Sequence, residues 1–120
     1  MIEIYTDGSC LTNPGNGGWA AIINEDGKIK KISGNEKNTT NNRMELLAPI
    51  NALREMNPSS QITIYTDSQY VKLGITEWIK KWLINNWQTS KKEDVKNKDL
   101  WVEYRSISSK LSRVISNAPT

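Results

Sequence analysis

Asp26 and Gly27 lie between two stretches that alternate apolar and polar residues. An Asp-Gly pair supplies the positive φ that a tight hairpin turn requires, so the flanking segments must run antiparallel as neighbours. The turn reads as Glu25-Asp26-Gly27, with Trp19–Asn24 (WAAIIN) entering it as a strand and Lys28–Ser33 (KIKKIS) leaving it as the next. An earlier alternating stretch sets Ile2, Ile4 and Thr6 against Glu3 and Tyr5 and runs to Cys10, giving a first strand. Between the first two strands, Leu11–Gly18 (LTNPGNGG) is a loop. Its Gly15, Gly17 and Gly18 read as turn chemistry before a strand, because their spacing does not match a phosphate-cradling Walker loop. The chain therefore opens as a three-strand meander.

Its character then changes. Thr39-Thr40-Asn41-Asn42 offers capping oxygens ahead of a helix over RMELLAPINALREM, apolar on one face. Pro49 falls inside that helix and cannot donate to the carbonyl of Glu45, which costs about 3 kcal/mol unless the helix kinks. Asn57-Pro58-Ser59-Ser60 ends it, and Gln61–Thr66 (QITIYT) is a fourth strand. Helical spacing returns from Gln69 to Asn86, with a break expected near Gly74 where Thr76 could cap a new helix. Thr89–Lys98 is a polar loop, Asp99 to about Lys110 a last helix, and Ser112–Ser116 a short terminal strand. This order implies an α/β sheet, with an antiparallel meander joined through a helical crossover to a parallel strand.

Its 120 residues hold one domain, large enough to bury roughly two thirds of the surface that the unfolded chain exposes. No apolar run reaches the ~18–20 residues of a membrane span, and MIEIYTDGSC lacks the pattern of a signal peptide, so the cytoplasm is the expected compartment. The single Cys10 excludes an intramolecular disulfide, and with no His every imidazole mechanism is excluded as well. Chemistry must run on carboxylates, hydroxyls, amides and cations.

Two of the carboxylates stand in matching contexts. Asp7 and Asp67 each follow Tyr-Thr near the end of a strand, in EIYTDGS and TIYTDSQ, and Glu45 lies early in the helix between them. If the first and fourth strands are parallel neighbours, the two Asp come side by side and the helix can deliver Glu45 to the same point. Three like charges there would repel, and a bound hard cation, Mg²⁺ or Mn²⁺, removes the conflict. Taken singly, each acid reads as readily as a cap or a surface charge.

Net charge is +3, but residues 1–60 carry six Lys/Arg against seven Asp/Glu and residues 61–120 ten against six. Lys72 to Lys98 holds seven lysines with Trp78, Trp82 and Trp87 among them. Such a stretch can neutralise phosphates while rings rest on sugars or bases. On composition alone, a solvated lysine-rich helix with tryptophans in the core is the plainer reading.

Four segments carry a family resemblance: YTDGSCLTNPGNGGWAAI, TTNNRMELLAPINAL, YTDSQYVKLGITEWI and VKNKDLW, in this order and over nearly the whole chain. With them the chain resembles type 1 ribonuclease H of the bacterial kind. The resemblance implies a ribonuclease H-like mixed β-sheet, an antiparallel three-strand meander plus parallel strands, flanked by helices. It implies an endonuclease that hydrolyses the RNA strand of RNA–DNA hybrids with two Mg²⁺ ions, or Mn²⁺, leaving 5′-phosphate and 3′-hydroxyl ends. Asp7, Glu45 and Asp67 then match three of the family's four catalytic carboxylates, with the backbone of Gly8 beside them at the metal. Cys10, Asn13, Asn41, Asn42 and Gln69 match the residues that line the hybrid's minor groove, where uncharged groups read base edges and 2′-hydroxyls. Thr40 and Asn97 match a contact to a DNA-strand phosphate, and Lys80, Lys81, Trp82, Trp87, Lys91 and Lys92 match the family's basic protrusion. Helix capping is the competing role for Asn41 and Asn42, small-residue burial for Cys10. Trp78 and Trp101 are assigned to the core.

The sequence departs from the family near its end. Members continue with a full fifth strand, a loop carrying a catalytic His, and a final helix opened by the fourth catalytic Asp. Here there is no His, and no acidic residue follows Glu103. The expectation is a single domain over residues 1–120 that is shortened at its C-terminus, lacks the final helix and cuts with impaired efficiency. The alternative is an inactive, nucleic-acid-binding remnant. No membrane and no protein partner is implied, though the loss of a helix would uncover sheet surface over which two copies could pair.

Overall fold

The computed structural model describes residues 1–58, 60–111 and, as backbone, 113–117. Five strands form one sheet: β1 (Ile2–Cys10), β2 (Gly15–Glu25), β3 (Lys28–Thr39), β4 (Gln61–Tyr65) and β5 (Arg113–Asn117), in the order β3-β2-β1-β4-β5. The first three pair antiparallel, and β4 pairs parallel to both β1 and β5. The mixed sheet expected from the pattern is the one formed.

The hairpin turns where Asp-Gly demands it, with φ of 53° at Asp26 and 91° at Gly27. Both arms are longer than their alternation suggests. β2 starts at Gly15 inside the expected loop, and β3 continues to Thr39 through residues that are mostly exposed. Ladder hydrogen bonds to a neighbouring strand carry these polar extensions, and hydrophobic periodicity does not register that contribution.

The helix α1 (Asn41–Arg54) is capped by Thr40, whose side chain accepts from the N–H of Arg43. It crosses the sheet as one unbroken helix, with Pro49 buried inside it. Its burial is not confined to one face: Met44, Leu46, Leu47, Ala48, Ile50, Ala52 and Leu53 are all buried. The helix contacts β1 and β2 on one flank and α4 (Lys98–Ser108) on another, so it is a central element. That packing offsets the hydrogen bond Pro49 cannot make.

The segment after β4 corrects an expectation. There is no break at Gly74. Helix α2 (Gln69–Leu73) passes through a π-helical turn (Gly74–Trp78) directly into α3 (Ile79–Ile84). Thr76 caps nothing; its hydroxyl donates back to the carbonyl of Lys72 at 2.8 Å. Gly74 is buried because a Cβ there would lie 2.1 and 2.4 Å from ring atoms of Trp101. The glycine makes room for an indole. Replacing it with Ala is therefore expected to destabilise the fold by about 1–3 kcal/mol through overpacking, read as a lower urea midpoint at unchanged slope.

Trp101 is fully buried, as assigned, and anchors an aromatic cluster with Tyr70, Trp78, Trp82, Trp87 and Tyr104. Trp78, also assigned to the core, is only half-buried at the cluster's margin. The rest of the core is aliphatic, from Ile2, Ile4, Ile23, Ile62 and Ile64 of the sheet against α1. Among the described residues no helix is long and apolar enough to cross a membrane. Ser59 and Ser112, read at the end of α1 and the start of the last strand, lie outside the described residues, as do residues 118–120.

Candidate functional site

β1 and β4 run in parallel register up to Tyr5 opposite Tyr65, whose rings stack 4.9 Å apart. The Thr6 hydroxyl donates to the Tyr65 carbonyl at 3.4 Å, so the strands stay adjacent one residue further. Asp7 lies two residues past Tyr5 and Asp67 two past Tyr65. Both acids lie two residues past the last paired residues, so their main chains leave the β1–β4 pair at the same end. Both are exposed.

The third acid arrives by helix packing. A Cβ on Gly8 would lie 2.4 Å from the Met44 carbonyl carbon and 2.6 Å from the Glu45 nitrogen. Only a glycine lets β1 touch the backbone of α1 here, at the peptide unit that joins Met44 to Glu45, and Glu45 is half-buried. The main chains of Asp7, Glu45 and Asp67 thus belong to three segments meeting at one end of the sheet. The Asp7 carboxylate accepts from the Gly8 N–H at 2.9 Å, and Asp67 sits just before α2, between Thr66 and Ser68, whose side chains hold the turn. An open hollow of about 260 Å³ adjoins Asp7, lined also by Ser9, Gly18, Trp19, Ala20 and Gly34.

The side chains themselves stand open. Among the described residues no three acidic or thiol groups are close enough to hold one ion between them. Nor does an ion pair engage Asp7, Glu45 or Asp67 there. Three carboxylate side chains are the hard oxygen donors that suit Mg²⁺ or Mn²⁺, so the donor set fits even though the side chains are apart.

The groove residues divide into three groups. Cys10, Asn13 and Asn41 come together: the Asn41 oxygen accepts from the Cys10 N–H at 2.6 Å, and the Asn13 oxygen accepts from the Asn41 N–H at 3.2 Å. Neither Asn41 nor Asn42 caps α1, since Thr40 does. Among the described residues the Asn41 amide nitrogen has no hydrogen-bond partner, and Asn42 and Gln69 are exposed on the first turns of α1 and α2. Thr40 and Asn97 meet through a residue that the sequence reading passed over, Arg43. Its backbone N–H donates to Thr40 (3.2 Å) and its guanidinium to Asn97 (3.1 Å) and bidentately to Asp99 (3.0 and 2.8 Å). Nothing local signals this contact, because Arg43 and Asn97 are 54 positions apart.

The Arg43 guanidinium holds the Asp99 carboxyl below the usual carboxylate range. A depressed folded-state value stabilises the fold above the unfolded value and is lost as pH falls through the folded one. The pair is largely solvated, so the effect is small. Stability should drop more steeply below about pH 4 in the parent than in Asp99→Asn, measured as urea midpoints against pH.

The third group is basic. Lys80 and Lys81 are exposed on α3, and Lys91 and Lys92 on the loop that follows. That loop is held by the bridge between Gln88 and Asp94, by Thr89 bonds to Lys91, Lys92 and Glu93, and by the Val95 N–H donating to the Trp87 carbonyl. Among the described residues none of the four lysines is in an ion pair. Trp82 and Trp87 are half-buried and pack on each other, with Trp82 also against Trp78 and Trp101, so the rings brace this surface more than they project from it.

Comparison with known proteins is consistent with this arrangement. The sequence model of the RNase H family matches residues 1–116. A ribonuclease H of Wolbachia sp. subsp. Drosophila simulans (strain wRi) is 56% identical over 108 residues, covering 90% of this chain and 74% of the relative. One from Francisella tularensis subsp. novicida (strain U112) is 54% identical over 106 residues, covering 88% of this chain and 70% of the relative. Among solved structures, LC9-RNase H1 superposes with a TM-score of 0.80 at 26% identity, covering 98% of this chain and 62% of that one. LC11-RNase H1, solved in complex with RNA/DNA hybrid, shares the fold at a TM-score of 0.74 and 19% identity, covering 99% of this chain and 85% of its own. From its sequence over nearly its full length and from its sheet, the chain belongs to the ribonuclease H family, whose enzymes cut the RNA of RNA–DNA hybrids.

Proposed function

We propose that this chain hydrolyses the RNA strand of RNA–DNA hybrids at the edge where β1, α1 and β4 meet, leaving 5′-phosphate and 3′-hydroxyl ends. The observation that carries the reading is the contact of Gly8 with the backbone of Met44 and Glu45, which brings an acid-bearing helix against an acid-bearing strand. Asp7, Glu45 and Asp67 would hold two divalent cations, which when bound supply an activated water and stabilise the leaving oxygen. The chain's own residues bind and orient the hybrid. Cys10, Asn13, Asn41, Asn42 and Gln69 offer uncharged donors and acceptors to the minor groove, where 2′-hydroxyls distinguish RNA from DNA. Thr40 and Asn97 face the DNA strand's backbone, and Lys80, Lys81, Lys91 and Lys92 neutralise its phosphates further along.

Within these 120 residues there are three carboxylates for the site and no His. Assayed as this chain alone, cleavage should be slow and should need more metal than a four-carboxylate site, since a water that fills a ligand position brings no charge. The test supplies end-labelled hybrid, single-stranded RNA and duplex DNA with Mg²⁺ or Mn²⁺. Cutting confined to the hybrid's RNA supports the reading; cutting of single-stranded RNA at the same rate contradicts it.

With three carboxylates for the site and no His, these 120 residues leave a second reading, a hybrid-binding protein with little catalysis. Tight hybrid binding without cleavage in either metal would select it.

A further inference from the structure

We propose that Arg43 and Tyr70 are positioning residues that fix the side-chain amide of Asn97 as a donor to the DNA-strand backbone. The inference rests on the reading of Asn97 as a phosphate contact, and it explains how that contact is made specific.

Asn97 directly precedes α4, where an Asn usually caps. Its side chain makes no capping bond and its backbone is left-handed, with φ of 58°. The side chain is instead held at both ends. Its oxygen accepts from Nη1 of Arg43 at 3.1 Å, and its nitrogen donates to the Tyr70 hydroxyl at 3.0 Å. Turning the amide over would set its NH₂ group against a guanidinium that can only donate, so one orientation is enforced. An amide nitrogen carries two hydrogens, and only one goes to Tyr70. The other has no partner among the described residues, and its direction is set by the two contacts.

Each brace is itself braced. Arg43 is gripped bidentately by Asp99, which keeps the guanidinium from swinging out to take an anion itself. The Tyr70 hydroxyl accepts at 2.8 Å from the indole N–H of Trp101, which is fully buried. Arg43 also touches Thr40, through its backbone N–H, so one residue contacts both groups assigned to the same phosphate. Arg43 lies two positions before Glu45 and Tyr70 three after Asp67. The hold on the DNA strand therefore hangs from the two segments that carry acids for cutting the RNA strand.

The test measures affinity for a 12-base-pair RNA–DNA hybrid in EDTA, where no cleavage occurs, for the parent, Asn97→Ala, Tyr70→Phe, the double variant and Arg43→Lys. Asn97→Ala should weaken binding about 10-fold, the scale of one lost hydrogen bond to a charged oxygen. Tyr70→Phe keeps the ring packing and should weaken it about 3- to 10-fold, with no further loss in the Asn97→Ala background. Arg43→Lys keeps the charge, loses the fork and should fall in the same range. Neutral methylphosphonates placed singly along the DNA strand should reveal one linkage whose neutralisation costs the parent affinity but costs neither Asn97→Ala nor Tyr70→Phe. Circular dichroism and thermal melts accompany each variant, and Tyr70→Phe decides the matter if Arg43→Lys fails to fold. Equal weakening by Tyr70→Phe with and without Asn97, or none while Asn97→Ala weakens binding, overturns the positioning role alone. If Asn97→Ala binds as tightly as the parent, the phosphate reading beneath it falls as well.

Discussion

Asp7→Asn is expected to lower the rate of hybrid cleavage by about 10³-fold or more, with the fold and hybrid affinity unchanged. The substitution keeps shape and removes charge. Asp7 is exposed, and among the described residues its carboxylate accepts one hydrogen bond, from the neighbouring Gly8 N–H, which an Asn oxygen can also accept. Its stability cost should therefore stay within about 0.5 kcal/mol. On the proposed function the loss falls on the ions, because one of three negative ligands would be gone. Binding rests on other residues, so hybrid affinity in EDTA should match the parent's. Residual cleavage within ten-fold of the parent would mean that Asp7 is a bystander and that the edge where β1 meets α1 is not where the RNA is cut.

Reversing the charges of Lys80, Lys81, Lys91 and Lys92 to Glu should weaken hybrid binding by about 100-fold or more at moderate salt, with the thermal midpoint little changed. Each lysine that meets a phosphate releases a counterion, giving a log–log salt slope near −0.9 per contact. Replacing the four with Gln should make that slope shallower by about 3–4. The four are exposed and unpaired among the described residues, so the fold loses little with them. The Trp82 ring packs on Trp87 and on Trp101 without these lysines, which separates the charge effect from collapse of the loop. Unchanged affinity would contradict the assignment of this surface to nucleic acid, because Lys72 to Lys98, with seven lysines, holds more of them than any other stretch of that length.

What the sequence made legible follows from the range of each interaction. The hairpin and the start of α1 were readable because Asp26-Gly27 and Thr40 act on their immediate neighbours. The pairing of Asp7 with Asp67 was readable only as a conditional, since it depends on β1 lying beside β4. Gly74 was misread for the opposite reason. Local rules mark a glycine in a helix as a break, but its neighbour here is Trp101, 27 positions on, and the packed indole outweighs local propensity. The polar arms of β2 and β3 were underread because ladder pairing, not apolar periodicity, extends them. Arg43 was invisible as a site residue: its partners Asn97 and Asp99 lie beyond the whole crossover, and only the packing of α1 against α4 brings them within reach.

The most direct test of the central claim, that the acids of β1, α1 and β4 close together on divalent metal, is a Mn²⁺ titration followed by NMR of the labelled chain. The backbone signals of Gly8, Glu45 and Asp67 should broaden first and together, at a Mn²⁺ level that Asp7→Asn raises. Broadening that begins instead near Glu93 and Asp94, or that reaches the three segments at widely different Mn²⁺ levels, would contradict it.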